Sequence, residues 1–254
     1  MHGAAVHRPV TEVGPVAVAI PDRARQSRAM QLLQPSLLPA AADIARHRHR
    51  EPYATVVLAG GYEEAGDAGR IAVREGEVLL HGPFSAHRDR ISAKRTAVLD
   101  LPLPFDGRDW PAHAQIADPD RIVRLAERDP VEAVAALLDG LASVAAVEED
   151  DLPDQLSVAL RASASPRIGQ WAAVRGRSRE HVSRSFEKLY GVSPAAYRAD
   201  CQAKRAWRMI VASDENLAGI AVEAGYADQA HMTRAVTRLT GMPPRWWRLA
   251  RMTV

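Results

Sequence analysis

The sequence predicts an α+β chain: a run of short strands in its first half, then an all-α segment built from two helix-turn-helix units joined by a linker helix. Three observations carry this. Residues 43–103 consist of short apolar runs broken by Gly and Pro. The text after Pro119 takes up a helical period, and the last hundred residues contain one pattern twice. At 254 residues the chain is long enough for two domains. With 47% hydrophobic and 25% charged residues it can bury a core, which excludes a disordered chain. No apolar run reaches the roughly 18 residues that a bilayer crossing needs, so no membrane partner is expected. The N-terminus lacks an apolar stretch followed by a small-residue cleavage site, so no signal peptide is expected. One cysteine, Cys201, excludes an intrachain disulfide and points to a reducing, cytoplasmic compartment.

Taken in order, residues 1–40 show no period and several prolines, and are expected to form an arm. A strand domain is expected over 41–118. Its strands are read at Tyr53–Leu58, Arg70–Val73, Val78–Leu80 and Thr96–Leu101, separated by Gly60-Gly61, Gly66, Gly69, Gly76 and Gly82-Pro83. Strands this short at this spacing predict an all-β sandwich or barrel. A helical connector is expected over 119–153. Asp129-Pro130 supplies a helix start, and Val131, Val134, Leu137, Leu138, Leu141 and Val144 recur at spacings of three and four as one apolar stripe. That stripe serves either to join two copies of the chain as a homodimer or to pack on the chain's own strands. The acidic run Glu148–Asp151 and Pro153 mark the boundary of an all-helical segment over 154–254.

Charge divides along the same boundary. Residues 1–160 carry net −7 and residues 161–254 net +9, an asymmetry hidden in the overall +2. A basic half of this size meets a polyanion or forms a solvated face.

The duplicated pattern decides between these. Its first copy spans Trp171 to Arg198 and its second Ile220 to Arg248. Ala172 and Gly176 match Ala221 and Gly225 at an offset of 49. His181, Arg184, Gly191, Pro194 and Arg198 match His231, Arg234, Gly241, Pro244 and Arg248 at an offset of 50. In each copy an Ala suits a close helix crossing, and the Gly lets the chain turn with positive φ. Ser178 and Asp228 are placed to N-cap the next helix. Val182, Phe186 and Leu189, and likewise Met232, Val236 and Leu239, share one face and are expected in the core. The opposite face carries Arg179, Glu180, Ser183 and Arg184 in the first copy. In the second it carries Gln229, Ala230, Thr233 and Arg234. Arg pairs bidentately with guanine and Gln with adenine, and Ala or Thr meets the thymine methyl. These residues are therefore candidates to read bases in double-stranded promoter DNA. Ala195 to Ala212 reads as one helix of about 27 Å, a rod able to hold two reading helices near the ~34 Å spacing of successive major-groove faces. Lys188, Arg198, Lys204, Arg205, Arg238 and Arg248 are the candidate phosphate contacts.

These motifs carry a resemblance. Ser178-x-x-His-Val-x-Arg-x-Phe186, Gly191-x-Ser-Pro194, Arg205-Ala206 in the linker helix and Gly225-Tyr-x-Asp-x-x-His-Met-x-Arg234 resemble the DNA-binding domain of AraC/XylS-type transcription regulators. The resemblance implies two helices reading adjacent major grooves of an asymmetric site. It also implies a small-molecule effector acting on the N-terminal half, and RNA polymerase as a partner where binding activates. Two positions depart: Val236 stands where the family usually has Phe, and Ala230 where Ser is common.

In the N-terminal half, His47-Arg-His49 with Tyr53 and Gly60, and Gly76 to Pro83 followed by His87, resemble the two cupin motifs. That resemblance implies a β-barrel sensor, although Tyr53 occupies the position of the expected Glu. Two His at alternate strand positions share a face, so His47, His49 and His87 are candidate ligands for a divalent metal. His81 is a weaker fourth. Equally, these four His and Tyr53 are candidates to line an effector pocket, or the His belong to a basic strand that holds nothing. Two function classes follow: a non-enzymatic, effector-controlled DNA-binding regulator, or a metal-dependent cupin enzyme fused to DNA-binding helices. Alkyl-transfer repair would need a nucleophilic cysteine, and Cys201 lies in the linker helix.

Overall fold

The computed structural model describes residues 33–105, 110–144, 151–162 and 164–251. Most of the arm expected over 1–40 lies outside these. Its last residues already contribute strand β1 (Ser36–Leu38). There follow β2 (Asp43–Arg48), β3 (Tyr53–Ala59), β4 (Gly61–Gly66), β5 (Gly69–Arg74), β6 (Glu77–His81), β7 (Ala86–Ile91), β8 (Thr96–Pro102), β9 (His113–Gln115) and β10 (Ala142–Ser143). They form two antiparallel sheets, in the orders β1-β8-β3-β6-β9-β10 and β2-β7-β4-β5.

The two sheets face each other, with Val57, Leu79 and Val98 of the larger meeting Tyr62, Val73 and Ile91 of the smaller. Among the described residues no strand pairs across them, so the region is a two-sheet sandwich, not the closed barrel implied by the cupin resemblance. The edge strands, β1 and β10 of one sheet and β2 and β5 of the other, do not pair with each other. Consecutive strands β3 and β4 turn a corner at Gly60 into different sheets, at φ +73°, where a Cβ would lie 2.4 Å from the Arg95 carbonyl oxygen.

The four runs legible as strands are β3, β5, β6 and β8. β4 and β7 contain no apolar run, because apart from Tyr62 and Ile91 at one end of the pair their inner positions are polar. Glu64, His87 and Asp89 point between the sheets and are buried, whereas Ala65 faces the helical domain. The period of two is kept, but polar residues occupy the inner positions.

The outer face of the larger sheet is covered by α1 (Pro119–Ala126) and α2 (Pro130–Asp139), through Ile122, Ala126, Ala133 and Leu137. This settles the apolar stripe in favour of packing on the chain's own sheet: Leu137 is fully buried, while Val131, on the far side of the helix, is 68% exposed. The stripe also ends early. Gly140 caps α2, and Ala142–Ser143 pair with β9, so Leu141 and Val144 lie off the helix.

The helical segment comprises α3 (Leu152–Arg161), α4 (Ile168–Ala173), α5 (Arg179–Tyr190), α6 (Pro194–Ala212), α7 (Leu217–Glu223), α8 (Gln229–Thr240) and α9 (Pro244–Arg251). The linker helix α6 has 19 residues, about 28 Å of rod, one residue longer than expected. It divides the segment into two cores. Leu156, Leu160, Trp171, Val182, Phe186, Tyr190 and Tyr197 form one. Trp207, Ile210, Ile220, Ala221, Met232 and Val236 form the other. Each core also takes one residue from the sandwich, Ala65 in the first and Phe84 in the second.

Candidate functional site

The two helix-turn-helix units are α4–α5 and α7–α8, and their local geometry follows from sequence. Ala172 and Ala221 are fully buried at the crossings. Gly176 and Gly225 turn at φ +65° and +82°, as the sequence predicts. Ser178 Oγ accepts from the His181 amide and Asp228 Oδ1 from the His231 amide, so both reading helices are N-capped. Gly191 and Gly241 close them in the left-handed conformation. The expected core positions need one adjustment. Val182, Phe186, Met232 and Val236 are fully buried, but the third position is Tyr190 or Thr240 rather than Leu189 or Leu239, which are partly buried. The buried residues follow one i, i+4, i+8 ridge, each step of four advancing about 40° around the helix, so the core face tracks that ridge and leaves the i+7 position at its edge. Thr240 is tolerated there because its hydroxyl accepts from Trp247 Nε1 and donates to the Val236 carbonyl.

The opposite faces are open. Arg179, Glu180 and Arg184 are exposed on α5, as are Gln229, Ala230 and Arg234 on α8, with Ser183 and Thr233 half-buried beside them. Among the described residues neither Arg184 nor Arg234 has an ion-pair partner.

The phosphate candidates divide. Lys188 and Arg238 are exposed, each in the last turn of a reading helix. Arg198 and Arg205 line a polar groove of about 320 Å³ with Gln202, and one Arg205 nitrogen already donates to the Arg161 carbonyl. Arg248 is half-buried. Lys204 is a correction. Its side chain is only 7% exposed and its ammonium pairs with Asp67 at the β4–β5 turn, so it cannot reach a phosphate. Helical periodicity placed Lys204 on the basic segment but could not show that its face of α6 is covered by the sandwich.

Asp67 is a residue that sequence reasoning missed. It also binds Arg46 Nη2 at 3.2 Å and accepts from the Ala86 amide at 2.8 Å. Burial pushes its carboxyl up, but Lys204 and Arg46 outweigh this and hold it below the usual range. For Lys204 the balance reverses, and burial lowers the ammonium despite Asp67.

Further arginines join the sandwich to both reading helices. Arg88 donates to the Lys188 carbonyl at 2.6 Å, with Arg90 at 3.3 Å, and Arg46 to the Tyr190 carbonyl at 3.4 Å, all at the C-terminus of α5. Arg50 donates to the Thr240 carbonyl at 3.1 Å, at the C-terminus of α8. Arg48 pairs with Asp200 on α6 at 2.5 Å. Cations at helix C-termini satisfy orphan carbonyls and oppose the helix dipole. Alternation explains the pattern. Arg46, Arg48 and Arg50 face the helices, so His47 and His49 between them face inward.

On that inner side the structure gathers all five effector-pocket candidates. Ring centroids of His47 and His87 are 4.3 Å apart, of His49 and Tyr53 4.5 Å, and of Tyr53 and His81 4.3 Å. Ligand-capable nitrogens of His47, His49 and His87 lie within 4.8 Å of one another. The structure adds two buried carboxylates that no motif marked. Glu64 Oε2 lies 2.9 Å from His81 Nε2 and 3.3 Å from His87 Nδ1, and Asp89 Oδ1 lies 2.8 Å from His87 Nδ1. The acidic pair Glu63-Glu64 between glycines was the only signal in the sequence. Tyr53 Oη is 2.8 Å from His87 Nε2. Burial lowers His87 to about 3, against the pull of Glu64 and with help from His81 and His47. Burial also opposes charge on His81, but Glu64 raises it overall. Beside these rings is a cavity of about 50 Å³, lined by His47, His49, Tyr53, Thr55 and Asp89 among others. Cys201 is partly buried and its thiol is pushed up to about 11 by burial, which leaves little thiolate for nucleophilic chemistry.

Residues 171–250 match the family model of a helix-turn-helix domain. The chain is similar to the uncharacterized HTH-type transcriptional regulator YobQ of Bacillus subtilis (strain 168), with 37% identity over 68 residues. That stretch covers 27% of this chain and 28% of the relative's length. Among solved structures, an AraC-type transcriptional regulator from Chromobacterium violaceum shows 20% identity and a TM-score of 0.36, over 39% of this chain and 90% of that one. ToxT from Vibrio cholerae, solved with an unsaturated fatty acid, shows 9% identity and a TM-score of 0.39, over 88% and 96% of the two chains. Among the described residues, no helix is long and apolar enough to cross a membrane.

Proposed function

We propose that this chain is a sequence-specific, double-stranded-DNA-binding transcription regulator of the AraC/XylS type, reading promoter DNA with α5 and α8. The observation that carries this is the pair of capped helices on one rod. Each buries one face in its own core and leaves an arginine, Arg184 or Arg234, exposed and unpaired among the described residues. Arg179, Glu180, Ser183, Gln229, Ala230 and Thr233 complete the base-reading set, and Lys188, Arg198, Arg205, Arg238 and Arg248 the backbone contacts. The test is to incubate purified protein with sheared genomic DNA and sequence what it retains. A few fragments sharing an asymmetric site about two helical turns long are expected. Retention without sequence preference would sink the reading.

The sandwich is proposed as the controlling domain, with β2 as its link to the reader. One face of β2 carries His47 and His49 toward the ring cluster; the other carries arginines toward the helices. Whatever binds the cluster in only one position of β2 biases how α5 and α8 are held. The cavity is far below the roughly 300–1,000 Å³ of sites for drug-sized molecules, so the effector is proposed to be an ion or a ligand of few atoms. The same lack of room disfavours an enzyme acting on an organic substrate.

A further inference from the structure

The geometry points to a divalent transition-metal site formed by Glu64, His81 and His87, a set other than the His47, His49 and His87 to which the sequence pattern leads. Glu64 stands on β4 and His87 on β7 of the smaller sheet, while His81 stands on β6 of the larger. An ion held by all three would join the two sheets where the apolar core between them gives way to polar side chains.

Three features favour this set. Glu64, His81 and His87 are 5%, 6% and 5% exposed, so they form a closed site, whereas His47 and His49 are only half-buried beside the cavity. The two spacings from Glu64 also fit, and all three donors lie within 4.8 Å of one another. Metal–ligand bonds of about 2.0–2.1 Å put neighbouring donors about 2.9 Å apart in octahedral and about 3.4 Å apart in tetrahedral geometry. Glu64 Oε2 lies 2.9 Å from His81 Nε2 and 3.3 Å from His87 Nδ1. Finally, Tyr53 Oη holds His87 Nε2, which leaves Nδ1 facing the two carboxylates, Glu64 at 3.3 Å and Asp89 at 2.8 Å, with Asp89 placed to hold the site from beside it. Tyr53 then has the role of the outer partner that orients a ligating imidazole. Two imidazoles and one carboxylate suit zinc, cobalt(II) or iron(II) rather than calcium or magnesium.

Proton balance is simple. The ion displaces the proton shared between His81 Nε2 and Glu64 Oε2. The His87 proton resides on Nε2 in the metal-bound form, where Tyr53 Oη accepts it.

The test uses the full chain stripped by a chelator, then dialysed against zinc or cobalt(II) and assayed for metal content. About one equivalent per chain is expected for the parent, His47→Asn and His49→Asn, with affinity at least tenfold weaker in Glu64→Gln and His81→Asn. X-ray absorption on the zinc-loaded parent, which needs no variant, is expected to count two imidazoles and one carboxylate. Failure of the parent to take up stoichiometric metal would overturn the proposal. So would three imidazoles in the absorption spectrum, or loss of metal in the His47 and His49 variants with retention in the other two. None of these readouts involves DNA, so the site stands or falls apart from the regulatory reading.

Discussion

Replacing Asp67 with Ala separates two uses of the basic helical segment. Asp67 sits at the β4–β5 turn, where it receives the Lys204 ammonium, Arg46 Nη2 and the Ala86 amide. Its removal leaves an ammonium that is 7% exposed without its counter-ion, a loss that costs about 3–5 kcal/mol in comparable buried pairs. Converting Lys204 to Met in the same chain removes the stranded charge. The double variant should therefore recover at least about 2 kcal/mol. The remaining deficit is the Ala86 amide without its acceptor, about 1–3 kcal/mol, together with the lost Arg46 pair. Lys204→Met alone should cost less than Asp67→Ala, because Asp67 keeps Arg46 Nη2 and the Ala86 amide as partners. Urea unfolding of the four proteins, with Cm and m compared, gives the cycle. Equal destabilisation of the single Asp67 variant and the double variant would refute the argument. Lys204 would then reach solvent and return to the phosphate contacts. The pH dependence has a defined sign. The native Asp67 carboxyl lies below its unfolded value of about 3.9, so its contribution is complete above roughly pH 5 and is lost as pH falls through the native pKa. The parent should therefore lose more stability than Asp67→Asn on acidification below pH 5.

Three further outcomes are expected. Arg184→Ala or Arg234→Ala should flatten sequence preference by about 1–3 kcal/mol at one base pair, measured by competition with mismatched sites; an even loss on all DNA would make the residue a phosphate contact. Lys188→Gln or Arg238→Gln should instead lower affinity on every sequence and reduce the slope of log K against log salt by about 1, and an unchanged slope would remove that residue from the interface. Gly225→Ala should lower stability by about 1–2 kcal/mol in thermal unfolding. The cost comes from φ +82°, since a Cβ there has ordinary space, 3.4 Å from Gln202 Nε2; an unaltered melting temperature would mean that the turn differs.

The repeat was legible because its information is local. A buried Ala, a turning Gly, an N-cap and an apolar step of four each act within one or two helical turns, and the duplicate spacing fixed the unit. The exposed faces of α5 and α8 followed, since a helix has one face left once its core face is assigned. The strands were legible where they carry apolar runs, as in β3 and β8, and hidden in β4 and β7, where Glu64, His87 and Asp89 replace the inner apolar positions. Local pattern assumes that buried means apolar, and a buried polar cluster violates that assumption.

By itself, then, the sequence determined the division into a strand-rich half and a helical half, the two reading helices and the alternation that turns His47 and His49 away from Arg46, Arg48 and Arg50. Only the tertiary structure decided what those faces meet. It left the two sheets unjoined as a sandwich, laid the stripe of α2 on the chain's own sheet, and brought Glu64 of one strand to His81 of another sheet. It also took Lys204 from the DNA-facing set by packing Asp67 against it across 137 positions of sequence. Helical and strand periods fix which side of an element a residue occupies, but contacts between distant elements depend on how whole faces pack, which no local spacing records.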